Sequence, residues 1–257
     1  MLEQQPNEDY TDLFDQLWSV TTELRQKIDA RFQLHPDPST NNLQSYSSLN
    51  GEAHGTLNTF SGSEIDWLVH SWLRNPKSGF SHMRLIIWLG PQINVPHLAY
   101  GFATLPHLFF YMDYIPRSDL LADLNYLDRY FQPGNERYLE LRKDTQFEQY
   151  ISRNLYIRQA QSPTNLCCTS KAAKEKLPLV RTLAHEMMDR WLTWVDSAEP
   201  VAEDKRAALA ERDLTVLRAI AERDPDNQIA VQMFGKELAD QLVRSLWGGD
   251  RMLKSGS

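Results

Sequence analysis

Between Ile65 and Asp113, segments rich in β-branched and aromatic residues follow one another with only short stretches between them. Ile65 to Leu73 carries Trp67, Val69 and Trp72, and Met83 to Leu89 is β-branched and aromatic. Leu98 to Thr104 and His107 to Asp113 flank a tight Leu105-Pro106 link that reads as a hairpin turn. A parallel return needs a crossover of a dozen or more residues, so strands joined this closely must run antiparallel. The middle of the chain is therefore bound to an antiparallel sheet.

Helical patterns lie on either side. Leu13, Leu17, Val20, Leu24 and Ile28 recur at three- and four-residue steps from about Tyr10 to Phe32, until His35-Pro-Asp-Pro38 stops the helix. Residues 39 to 63 are rich in Asn, Ser and Thr, with short β-like pieces such as Gly55 to Phe60. The spacing predicts further helices over Asp119 to Tyr130 and, after a break at Pro133-Gly134, over Glu136 to Gln149. Tyr156 to Cys168 reads as a strand pair interrupted at Ser162-Pro163. Val180, Leu183, Met187, Trp191 and Trp194 share one face of a helix from Leu177 to Val195. Ala202 to Arg223 forms the next, ending at Asp224-Pro225, and Gly235 sets off a last segment, Lys236 to Trp247. Helices grouped before and after an antiparallel sheet give the α+β class, with helices on both faces of the sheet. With 42% hydrophobic residues and no long linker, residues 1–257 are expected to form one domain, with 1–9 and 251–257 flexible.

The charge balance, 27 basic against 34 acidic residues, disfavours a nucleic-acid binder, whose basic surface should dominate the count. The only cysteines, Cys167 and Cys168, are adjacent and cannot by themselves ligate zinc or an iron–sulfur cluster. They read as small, partly buried residues of a reducing compartment. The acidic, polar start resembles neither a secretory signal nor a transit peptide, and no apolar run has membrane-spanning length. The expected location is cytoplasmic, or the plastid stroma if a transit peptide has been removed. No Gly-x-Gly-x-x-Gly, Walker-type Gly-Lys-Ser/Thr, Gly-x-Ser-x-Gly or His-Glu-x-x-His pattern occurs, so no nucleotide, serine-hydrolase or zinc site is signalled. His185-Glu186 begins a zinc pattern that no second histidine completes, so no metal site is expected.

Several stretches go further. Ile65-Asp-Trp-Leu-Val-His-Ser-Trp-Leu73 resembles a stretch of the red chlorophyll catabolite reductases, as do Met112-Asp-Tyr-Ile-Pro-Arg-Ser-Asp-Leu120 and the following Tyr126-Leu-Asp-Arg-Tyr130. Leu155-Tyr-Ile-Arg-Gln-Ala-Gln-Ser-Pro-Thr164 and Met233-Phe-Gly235 are similar to the same family. Asp224-Pro225 with Phe234-Gly235 and Trp247 resembles the end of the ferredoxin-dependent bilin reductases. The resemblance implies a three-layer α/β/α sandwich that reduces an open-chain tetrapyrrole such as biliverdin through radical intermediates. It implies no bound cofactor, reduced ferredoxin (2Fe-2S) being the external electron donor. Red chlorophyll catabolite reduction, or a bilin carrier without chemistry, remain the alternatives.

The resemblance implies a proton donor at Asp224, or at Asp226 if the register moves by two. A turn or helix-capping role for Asp224 is the competing reading. The family glutamate falls at Gly101, where this chain has no acid. Alternation puts Ala99, Gly101 and Ala103 on one face of their strand, leaving room for a flat ligand or for close helix packing. His82, His97 and His107 are candidate replacement donors beside predicted strands, and Asp113 matches a family aspartate that could equally end its strand in solvent. Arg158 and Ser162 could meet substrate propionates. Lys171, Lys174 and Lys176 could meet an acidic ferredoxin.

Overall fold

The computed structural model describes residues 10–104, 107–224 and 226–248. The expected flexible ends 1–9 and 251–257, the Leu105-Pro106 turn, Pro225 and the side chain of Asp226 lie outside the described residues. Helix α1 (Tyr10–Arg31) precedes seven strands: β1 (Leu34–Pro36), β2 (Tyr46–Ser47), β3 (His54–Gly62), β4 (Ile65–Asn75), β5 (Phe80–Leu89), β6 (His97–Ala103) and β7 (Leu108–Ile115). There follow α2 (Leu124–Tyr130), α3 (Gln132–Lys143), β8 (Glu148–Gln149), α4 (Leu155–Ala160) and β9 (Leu166–Ser170). The chain closes with α5 (Ala173–Asp196), α6 (Glu203–Arg223), α7 (Asp226–Phe234) and α8 (Lys236–Leu246).

The strands form one sheet in the order β1-β3-β4-β5-β6-β7-β9-β8, with β2 beside β3, and every pairing is antiparallel. On one face, α1 and α5 bury Leu17, Val20, Leu24, Ile28, Val180, Met188 and Trp191 against Met83, Leu85, Phe102 and Phe110. On the other, α6 and α8 cover Trp67, Val69, Ile86, Trp88, Ala99 and Ile115 with Leu214, Leu217, Leu246 and Trp247. The expected three-layer α+β sandwich is what the chain forms.

Four expectations change, the first being that the helix expected over Glu136 to Gln149 ends at Lys143 and Glu148–Gln149 is strand β8. Tyr156 to Cys168 is not a strand pair. Asn154 accepts the Tyr156 N–H through its side chain and starts helix α4, leaving only β9 extended. Pro133-Gly134 does not break a helix but lies in the first turn of α3, where proline lacks only an N–H that has no helical partner anyway. Helix α2 starts at Leu124 rather than Asp119, because Asp123 caps it by accepting the Tyr126 N–H. The segment before Gly235, left unassigned by the periodicity, is α7.

A buried ionic cluster docks α6 on the sheet. The Arg117 guanidinium, fully buried, donates to Asp213 Oδ2 at 2.6 and 3.1 Å and to the carbonyl oxygens of Gly90 and Ile93. His97 Nδ1 accepts the Leu89 N–H at 3.0 Å, while its Nε2 lies 3.2 Å from Asp213 Oδ1, outside hydrogen-bond geometry. Burial, opposed by Asp213 and reinforced by Arg117, holds the His97 imidazole down at about 4. Burial alone would raise the Asp213 carboxyl, but His97 and Arg117 outweigh it and hold it below the usual range.

Asp213→Ala should destabilise the fold by about 3–5 kcal/mol in urea unfolding, because it strands a buried guanidinium. Both shifts also set a pH dependence. The unfolded chain protonates its histidine below about 6.5, whereas folded His97 resists until about 4. That contribution is fully present above pH 6.5 and fades on acidification toward pH 4. The Asp213 contribution fades further below, as pH falls through its depressed folded value. The denaturation midpoint should therefore drop between pH 7 and pH 4 by less in His97→Gln than in the parent.

Candidate functional site

In the register of β5, β6 and β7, Arg84, Gly101 and Tyr111 lie side by side across the sheet, as do His82, Ala103 and Phe109 on the adjoining row. Ile86, Ala99 and Asp113 form the next row. These rows face the layer of α6 and α8. Their lower part is sealed by Leu217 and its neighbours. Higher up, Leu73, His82, Arg84, Ala103, Phe109 and Tyr111 all keep partial exposure, while Met83, Phe102 and Phe110 on the opposite face are fully buried. The sheet is thus plugged on one side and left open on part of the other.

The three small residues do not share one environment. Ala99 belongs to the packed cluster under α6, at 3% exposure. Gly101 is buried between two neighbours: an added Cβ would lie 3.7 Å from His82 Nε2 and 3.7 Å from Tyr111 Cβ, with no other atom within 4 Å. Ala103 alone of the three reaches the open part. The room that glycine leaves at 101 is therefore shared by the His82 ring. Burial, then Arg84, push that imidazole well below its usual value, so it is neutral and can donate or accept a hydrogen bond.

Asp113 is the chemically distinctive group. It does not end its strand in solvent but is 1% exposed. Its Oδ2 accepts the Tyr111 hydroxyl at 2.8 Å and the Ser162 N–H at 3.0 Å. Its Oδ1 has no hydrogen-bond partner among the described residues. Burial, only partly offset by hydrogen bonds from Ser162 and Tyr111, pushes this carboxyl up to about 6. Such a group takes up a proton at mildly acidic pH, well above the range of an ordinary carboxylate, and can release it. It follows Tyr111 by two residues on a strand, so both point to the Gly101 face. That alternation is the sequence signal that could have linked Asp113 to the small-residue strand.

Other expected residues fall at different distances from this centre. Ser162 touches it directly. Arg158 is exposed on α4 and donates to the Ser152 carbonyl at 2.7 Å. His97 sits at the sealed end, in the Arg117–Asp213 cluster. His107 precedes β7 and is half-buried. Asp224 terminates α6 in extended geometry, half-buried, and its carbonyl accepts the Asn227 N–H. The Asn154 side chain, at the start of α4, donates to the neighbouring Arg223 carbonyl at 2.8 Å. Helix α4 thus touches the Asp224 junction at one end and leads to the Asp113 centre at the other. Lys176 is paired with Asp144 at 2.6 Å, which leaves Lys171 and Lys174 as the exposed members of that basic cluster.

If the bilin that the sequence resemblance implies lies against this face, Ala103→Trp should fill its open part and weaken biliverdin binding at least about tenfold in an absorbance titration. Gly101→Ala, whose methyl meets only ordinary contacts, should bind like the parent. Equal affinity in Ala103→Trp, with an unchanged melting temperature, would place the ligand elsewhere.

The same architecture occurs in phytochromobilin synthase from tomato, solved in complex with biliverdin. The two superpose with a TM-score of 0.78 at 16% identity, over 93% of this chain and 85% of the tomato chain. The chloroplastic red chlorophyll catabolite reductase 1 of Oryza sativa subsp. japonica is 26% identical over 217 residues, which is 76% of this chain and 65% of the rice protein. The chain thus matches somewhat less than two thirds of the rice protein's length. Residues 18–247 match the sequence pattern of the red chlorophyll catabolite reductase (RCC reductase) family, nearly the whole described fold, and the chain belongs to that family of reductases.

Proposed function

We propose that this protein reduces an open-chain tetrapyrrole held against the open part of the sheet, alternating single electrons from reduced ferredoxin with protons from its own carboxyl groups. The observation that carries the reading is Asp113, a buried acid with a raised pKa and one unpartnered oxygen, opposite Ala99 and one row from Gly101. An electron added to a conjugated tetrapyrrole makes it more basic. The Asp113 O–H bond then breaks toward a ligand carbon or nitrogen, and the carboxylate left behind is held by the Tyr111 hydroxyl and the Ser162 N–H. Reduction of one double bond takes two electrons and two protons. Asp224, or Asp226 one turn of chain further, is the second donor in this reading, delivered from the α6–α7 junction.

Two substrates fit the reading. Family membership favours a red chlorophyll catabolite, whereas the likeness to a biliverdin-bound fold and the absence of an acid at Gly101 favour a bilin. The carrier alternative predicts a spectral shift on binding and no turnover. For the electron donor, Arg153 and Arg158 are exposed around α4, and Arg223 lies over the Tyr156 ring at 4.7 Å. This arginine surface flanks the site and suits an acidic ferredoxin.

Both substrates should be given to the protein with NADPH alone and with NADPH, ferredoxin reductase and ferredoxin. Turnover is expected only with the full chain of carriers, and only one substrate should be consumed efficiently. The rate at limiting ferredoxin should fall as salt is raised. Efficient turnover with NADPH and the protein alone would falsify the ferredoxin assignment.

Asp113→Asn should lower product formation by about a hundredfold or more while a tetrapyrrole radical accumulates, visible by electron paramagnetic resonance. Asp224→Asn should have a similar effect on the second proton. If Asp224 serves only the turn between helices, that change should be close to neutral, since Asn suits such positions about as well as Asp.

A further inference from the structure

Tyr111 and the backbone of Ser162 both donate to the same oxygen of Asp113, and neither bond reaches the other oxygen. The Ser162 amide can act only as a donor. With the Tyr111 hydroxyl kept in its donor orientation beside the amide, a proton on Oδ2 would face two donors, and the proton of the neutral acid falls on Oδ1. That oxygen is buried without a partner among the described residues. A buried O–H without an acceptor is unfavourable, so the neutral acid calls for an acceptor from outside the chain.

We infer that Tyr111 is a positioning residue that confines the proton of Asp113 to Oδ1, from which it passes to a lactam oxygen or pyrrole-type nitrogen of the bound tetrapyrrole. The role rests on the reading of Asp113 as proton donor. In the transfer the Oδ1–H bond breaks, an O–H or N–H bond forms on the one-electron-reduced ligand, and the electron pair stays on the carboxylate. Tyr111 stabilises that anion without giving up its own proton. Burial, then Asp113, push its hydroxyl well above the usual value. The other ionisable groups acting on the pair are Tyr114 on the same strand and Cys167 on β9. The facing position on β6 is Ala99, and the segment after α4 supplies only Ser162.

The full chain carrying Tyr111→Phe keeps the ring and loses only the hydroxyl. Infrared difference spectroscopy, with Asp113→Asn to identify the band, should show the ligand-free Asp113 carboxyl titrating about one pH unit or more higher than in the parent. Biliverdin and reduced ferredoxin should then be mixed at pH 5, where the acid is protonated in both proteins. The radical should form at the parental rate and decay about tenfold more slowly in Tyr111→Phe, because its acid is weaker. An unmoved infrared midpoint would overturn the role of Tyr111, whatever turnover shows. A moved midpoint with parental radical decay would keep the hold of Tyr111 on Asp113 and overturn Asp113 as the donor.

Discussion

The ion pair between Arg117 and Asp213 decides which part of the sheet α6 covers. Arg117 stands two residues beyond the end of β7, and Asp213 lies mid-way along α6, 96 residues later. Their contact seats α6 over Trp88, Ala99 and Ile115, and so closes the lower half of that sheet face. A helix fixed there cannot also cover Ala103 and Phe109. The opening is the remainder after an electrostatic anchor has been satisfied. Because the guanidinium is fully buried and also holds two loop carbonyls, the anchor has little freedom to slide.

The arrangement places opposite chemistry on the two faces of one sheet. Toward α1 and α5 the side chains are large and apolar, with Tyr100 and Tyr114 satisfied by carbonyls of α5. Toward α6 the same strands present His82, Arg84, Tyr111 and Asp113. The tightly packed side lets the other face carry a carboxyl with an oxygen that has no partner among the described residues.

The layered architecture was legible because it follows from short links and from alternation, both local properties. The strands from Ile65 to Asp113 had no other way to pair, and the apolar stripe of α5 reads directly from Val180 to Trp191. What escaped was decided by single side chains in competition with the backbone. Asn154 turned an extended-looking segment into α4, and Asp123 delayed α2. The candidate face was proposed from the alternation of Ala99, Gly101 and Ala103, and of these only Ala103 reaches its open part. The burial of Asp113 was hard to see, since the sequence shows it near a strand end but not the return of Ser162 from beyond α4 to cover it. Likewise nothing in the order of residues shows that His97 and Asp213 meet.

The adjacent cysteines now have a physical consequence. Cys167 pairs across the strands with Tyr111 and Cys168 with Phe110, so the two thiols project into different layers of the sandwich. Burial pushes them up to about 12 and about 11. A strand that stays extended keeps the two sulfurs on opposite sides of a hydrogen-bonded partition, so oxidation cannot join them without unravelling β9 from β7 and β8. The sheet acts as an insulator between two thiols that are neighbours in the chain. An oxidant entering the layer of Tyr111 meets one sulfur and finds its covalent neighbour out of reach.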